Sequence, residues 1–182
     1  DVAVSGIGYT PEGDFRIGQE SLNPATHPQV GRFLQALTLD TDAYLERDED
    51  GRFRVVGDTT EGALLVAAQK IGWTRAQLEK DLPRIAELPF SSERKAMTTI
   101  HEVVGAQSDM LFDGKYIAIT KGAPDRLIGW AKFEHGPEGV AELSVERRQI
   151  WYDYVDKMAS QGLRVLGVAY RPLESVPDVI KP

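Results

Sequence analysis

The chain has 182 residues, enough to bury a hydrophobic core without disulfide or metal staples, and its length suits one ordinary domain. It contains no cysteine, which excludes a disulfide framework, a thiolate metal site and a cysteine nucleophile, and its three histidines (His27, His101, His135) are too scattered to suggest zinc. A formal net charge of −7 argues against broad binding to nucleic acid or an anionic membrane, so any recognition of phosphate must be local.

The start, DVAVSGIGYT, is a strand-like alternation without the charged head and apolar body of a signal peptide, and no apolar run approaches the roughly 18 residues of a spanning helix. Residues 28–39, PQVGRFLQALTL, carry Val30, Phe33, Leu34 and Leu37 at helical spacing despite Gly31. An acidic loop follows, and GRFRVVG (51–57) reads as a short strand. DTTEGALLVAAQKIGW then switches to a helical period, with Asp58 and Glu61 at the N-cap and N3 positions of a variant capping box. TRAQLEKDLP (74–83) predicts a second short helix stopped by Pro83. From there the period becomes two: RIAELPF, RKAMTTIHEVV and MLFDGKYIAITKG read as consecutive strands, with Asp113-Gly114 as a hairpin-turn signal. APDRLIGWA opens a helix with Pro124 in its first turn, where the missing N–H costs little. Residues 141–160 form the longest helical pattern, closed by Gly162, and LRVLGVAYR (163–171) reads as a final buried strand. The pattern predicts an α+β fold, an antiparallel β-sheet flanked by helices. The proline-punctuated end, RPLESVPDVIKP, reads as a linker, and both ends look like those of a segment cut from a longer polypeptide.

Four short segments carry chemistry. FSSERK (90–95) sets a large ring, Phe90, beside Arg94 and Lys95 at the head of a strand; a solvated charged strand edge is the bland account, a site for a flat anionic ligand the sharper one. KGAP (121–124) puts Lys121 at a strand end and then Gly122 and Ala123 at a helix start, so that an ammonium and free backbone N–H groups face one space, a geometry that suits phosphate or a polarised base edge. GDTTEGALL (57–65) holds the capped helix with Glu61. GLRVLGVAYR (162–171) carries Arg164 at the start of an otherwise apolar strand, where a charge ordinarily just reaches solvent. Taken singly, each has a structural explanation at least as good as a functional one.

In their order and spacing, GDTTEGALL, FSSERKAMT, KGAPDRLI and GLRVLGVAYR resemble the nucleotide-binding domain of P-type cation-transporting ATPases, in the branch of the calcium and sodium pumps, and VSGIGYTPEGDF and ALTLDTDAYL are similar to the segments that precede the second helix in bacterial members. The likeness covers residues 1–172, leaving 173–182 as a hinge or linker segment. It implies that Phe90 stacks on adenine, that Lys95 reaches toward the base, and that Lys121 lines the cavity with Gly122 and Ala123. It also implies that Glu61 accepts from the exocyclic amine, directly or through water, that Arg164 reaches the phosphates, and that Leu166 is apolar lining, with Met97 either apolar lining or a core residue. Base stacking of this kind is worth about 1–3 kcal/mol. Thr59 stands where the family has proline, Thr38 and Asp40 where cysteine and asparagine are common, and Ser92 where some animal pumps carry arginine.

The implied ligand is ATP, with Mg2+ belonging to the intact enzyme rather than to residues identifiable here. No Asp-Lys-Thr-Gly-Thr string occurs in the 182 residues, so the aspartate that takes the phosphoryl group is absent and the chain is not expected to hydrolyse ATP alone. The implied partners are the phosphorylation, actuator and transmembrane domains of the same parent chain on the cytoplasmic side of a membrane, with no nucleic acid. The alternative is a regulatory or scaffold domain of this fold that binds no nucleotide. A free-standing phosphotransferase fits less well, since no Walker-type glycine loop or pair of metal-binding carboxylates is visible.

Overall fold

The computed structural model describes residues 1–104, 114–136 and 138–176. Their chain divides into two compact units, residues 1–83 with Val103 and Val104, and residues 84–102 with those from Gly114 onward.

The first unit opens with three short antiparallel strands, β1 (Ala3–Val4), β2 (Phe15–Ile17) and β3 (Glu20–Leu22), of which only Phe15 is buried. A 3-10 turn, Pro24–Thr26, leads into α1 (Pro28–Leu39), whose bounds are those expected from its apolar spacing. Its inner face, Leu34, Leu37 and Leu39, packs with Leu65, Val66 and Ala68 of α2 (Thr59–Gln69) to form the core of this unit. Between these helices lies the hairpin of β4 (Tyr44–Arg47) and β5 (Phe53–Val56). Gly62 of α2 sits directly on Val55 of β5, where a Cβ would clash with the valine side chain. The second short helix is shorter than its sequence suggests: α3 is only Arg75–Leu78, and the chain continues in turns to Leu82. It carries a full reciprocal capping box between Thr74 and Gln77.

The second unit is built on a four-stranded antiparallel sheet in the order β11-β8-β7-β6: β6 (Arg84–Ser91), β7 (Ala96–Glu102), β8 (Tyr116–Gly122) and β11 (Gly167–Leu173). The turn expected at Asp113-Gly114 and the residues just before it lie outside the described residues, apart from Gly114 itself, which has the positive φ (+122°) that favours glycine. β7 is buried along nearly its whole length. α4 (Pro124–Trp130) follows β8 at once, and β9 (Phe133–Gly136) pairs with β10 (Gly139–Glu142) in a hairpin. That hairpin corrects the sequence reading, which gave Ala141 and Glu142 to the long helix. The helix, α5, begins at Val145 because the Ser144 hydroxyl accepts from Arg147 N–H and sets its N-cap. Its end is as expected: Gly162, at φ +77°, donates to Ala159 O and Leu163 donates to Met158 O, the paired bonds of a Schellman cap. The last strand also differs. β11 starts at Gly167 and is half-buried, so Arg164 and Leu166 precede it rather than open it.

α5 is tied to the hairpin by charge rather than by burial, since none of its residues is buried. Arg147 donates to both carboxylate oxygens of Glu134, at 2.6 and 2.7 Å, and Trp151 Nε1 donates to the same group at 2.9 Å. The Arg147 hydrogen bond, with those of Trp151 and the guanidinium charge, holds the Glu134 carboxyl below its ordinary range against the opposing effect of burial. Arg148 reaches the C-terminal end of α4, donating to Ile128 O and Ala131 O.

Candidate functional site

Strand register brings most of the singled-out residues to one end of the four-stranded sheet, where β7 begins and β8 ends. Met97 of β7 pairs with Lys121 of β8, which pairs with Val168 of β11, so these three side chains share one face. On the outer strand the register slips: Leu88 pairs with Thr98 but Ser91 pairs with Ala96, leaving Pro89 and Phe90 together opposite Met97. This is a β-bulge, a device that re-aims a side chain near a strand end. Phe90 thereby joins the row of Met97 and Lys121. Its ring is 63% exposed, whereas Met97 and Lys121 are 4% and 5% exposed. The row thus runs from an open aromatic to a buried cation.

The neighbouring row is Ala96, Gly122 and Gly167, all small, on the opposite face. A Cβ on Gly122 would clash with Lys95 O and with Ala96, and one on Gly167 would stand 3.0 Å from Leu127 Cδ1 and 3.2 Å from Pro124 Cα. Gly122 and Gly167 therefore let the strands and α4 close together, a packing reason for glycine in this motif. The next residues at this end of β7, β8 and β11 are Lys95, Ala123 and Leu166. Here the expectation of free backbone N–H groups is corrected at Ala123, whose N–H donates to Lys95 O at 2.9 Å. Leu166 is half-buried, and Arg164, two residues further out, is exposed.

The connection from β6 to β7 sets the two cations of FSSERK on different courses. Ser91 anchors it, accepting from Lys95 N–H at its carbonyl (2.7 Å) and from Arg94 N–H at its hydroxyl (3.2 Å). Arg94 turns to the face opposite Met97, donating to Thr98 Oγ1 at 2.8 Å, and Thr98 in turn bonds the Thr120 hydroxyl at 2.9 Å. Lys95 is exposed and has φ +54°, the only non-glycine residue with positive φ among those described. A lysine in a conformation that favours glycine costs about 1–2 kcal/mol.

Glu61 lies in the first unit and does something the sequence did not reveal. Asp58 caps α2 as expected, accepting from Thr60 and Glu61 N–H at 2.8 and 3.1 Å. The Glu61 carboxylate also serves a segment outside the cap. Its Oε2 accepts from the Thr41 hydroxyl and from the N–H groups of Asp42 and Ala43, at 3.0, 2.9 and 3.0 Å. It clips the start of α2 to the segment joining α1 to β4. Thr38 and Asp40, the two departures nearby, are fully buried, and the Thr38 hydroxyl donates back to Leu34 O at 2.7 Å.

The sequence matches a family model over residues 29–179, and the chain belongs to that family: P-type ATPase, cytoplasmic domain N. Among curated proteins it is 36% identical over 172 residues to a calcium-transporting ATPase of Bacillus subtilis (strain 168), covering 94% of this chain and 18% of that protein. It is 35% identical to the cation-transporting ATPase pma1 of Synechocystis sp. (strain ATCC 27184 / PCC 6803 / Kazusa), covering 94% and 18%, and 30% identical to the calcium-transporting ATPase type 2C member 1 of Bos taurus, covering 93% and 16%. The chain thus spans less than a fifth of the length of these relatives. No helix among the described residues is long and apolar enough to cross a membrane.

Proposed function

We propose that the chain is the ATP-holding module of a cation-transporting P-type ATPase, and that it holds the nucleotide at the Phe90 end of the four-stranded sheet. The observation that carries the reading is the bulge that lines an exposed ring up with Met97 and the buried Lys121. Phe90 offers a face for the base, worth about 1–3 kcal/mol when stacked. Met97 and Leu166 supply apolar surface beside it. Lys95, kept as a cation at a strained backbone position, and the exposed Arg164 supply positive charge in an acidic chain. Gly122 and Ala123 keep the strand ends closed beneath the ligand. The phosphoryl acceptor, the bound Mg2+ and the ion path belong to the phosphorylation, actuator and transmembrane parts of the parent protein, and calcium is the cargo named for two of the relatives above.

Because one ring and a few cations form the site, affinity should be weak, with a dissociation constant on the order of 0.1 to several mM, and the base should dominate it. Calorimetric titration of ATP, ADP and AMP into the chain tests this: the three should agree within about tenfold, about 1.4 kcal/mol. Absence of saturable binding by all three at about 10 mM would favour a scaffold domain of the same fold.

A further inference from the structure

We propose that Arg94 is a positioning residue of the nucleotide site: from the far face of the sheet it holds the turn that presents Lys95. The inference rests on the nucleotide reading above and adds to it a residue that itself touches no ligand. Phe90 and Lys95 flank residues 91–94, so the shape of this short segment sets where the cation lies relative to the ring.

Arg94 is fixed at both of its ends. Its N–H donates to the Ser91 hydroxyl at 3.2 Å, and its Nη2 donates to Thr98 Oγ1 at 2.8 Å on the face opposite Met97. Thr98 is 7% exposed, pairs with Thr120 of β8 and bonds the Thr120 hydroxyl at 2.9 Å, so the guanidinium is tied to the two central strands. Nη1 is sealed from solvent. The head of this arginine is thus enclosed against the sheet rather than open to a phosphate.

Lys95 follows at once, at φ +54°. Its N–H donates to Ser91 O at 2.7 Å and its carbonyl accepts from Ala123 N–H at 2.9 Å. A residue other than glycine persists in this region when its surroundings over-determine its backbone. The two backbone bonds hold the peptide groups of Lys95, and the bonded Arg94 holds the residue before it. A planar guanidinium suits this task, because its fork is pre-organised and loses less freedom for each bond it makes.

Arg94→Met, which keeps an unbranched stem but donates nothing, and Thr98→Val, which leaves every charge in place, test the proposal in the 182-residue chain. Without nucleotide, both variants should weaken the strong amide-to-Hα contact within Lys95 that its positive φ produces in NMR spectra, with the melting temperature within a few degrees of the unmodified chain's. Each should lower ATP affinity about threefold to tenfold in calorimetric titration. In a Lys95→Ala background the same substitutions should change affinity by less than about twofold, since a residue that acts through Lys95 then has nothing to position. An unchanged Lys95 signal in both variants, or an affinity loss of the same size in the Lys95→Ala background, would overturn the proposal. If the unmodified chain bound no ATP at about 10 mM, the nucleotide reading would fail by itself, and the Lys95 signal would still decide whether Arg94 holds the turn. Should Arg94→Met fail to fold, Thr98→Val carries both measurements.

Discussion

At the scale of single residues, the nucleotide proposal turns first on Phe90. Phe90 could be recognised as an aromatic beside cations, but its alignment with Met97 depends on a two-for-one bulge that no residue type announces. Since the ring is 63% exposed, Phe90→Ala should cost little stability while weakening ATP binding by about 1–3 kcal/mol. Melting temperature and affinity measured on the same variant separate the two effects, and a large melting-temperature loss with unchanged affinity would make Phe90 a packing residue. Lys95 is a second case, because a left-handed lysine carries no sequence mark. Lys95→Gly should leave the melting temperature equal or higher, by relief of about 1 kcal/mol of strain, yet reduce ATP affinity. A drop in both would assign Lys95 a structural part. Glu61 shows the opposite difficulty. Its spacing from Asp58 fits a capping box so well that the carboxylate's real partners, Thr41, Asp42 and Ala43, could not be guessed. Glu61→Ala should destabilise by about 1–3 kcal/mol in denaturant unfolding, and Glu61→Gln, which retains an acceptor oxygen, should recover part of the loss.

At the scale of elements, strong periodicity and punctuation mark their elements and short pieces do not. α1 has the bounds its apolar spacing and Pro28 imply, and the Gly162 stop of α5 closes with the expected pair of bonds. The β9–β10 hairpin leaves no mark in the sequence because each arm is only four residues, too short to show a period against the helical pattern that begins just after Ser144. α3 is shorter than the 74–83 pattern because Pro83 marks where a helix must have stopped, not where it does. The clamp of α5 onto that hairpin gives a pH prediction. The Glu134 carboxyl is held below the ordinary 4.5 by Arg147 and Trp151, so its contribution to stability is fully present above that value and is lost as pH falls through the lower folded value. Melting temperature followed from about pH 7 to about pH 3 should therefore fall more steeply in the unmodified chain than in Glu134→Gln. Parallel curves would show that the pair contributes nothing to acid stability.

At the scale of the whole molecule, the class of fold was legible because the helical and two-residue periods separate cleanly along the chain, and the family was legible because four motifs keep their order. What composition could not supply was the register that gathers FSSERK, KGA and the end of the GLRVLG segment at one sheet end, since that depends on pairing between strands far apart in sequence. The most direct test of the nucleotide reading follows the backbone amide signals of the 182-residue chain while ATP is added to about 10 mM. Saturable shifts concentrated at Phe90, Met97, Lys121 and Gly122, and strongly reduced in Phe90→Ala, are the expected result. An unchanged spectrum at these four residues over the same range would contradict it.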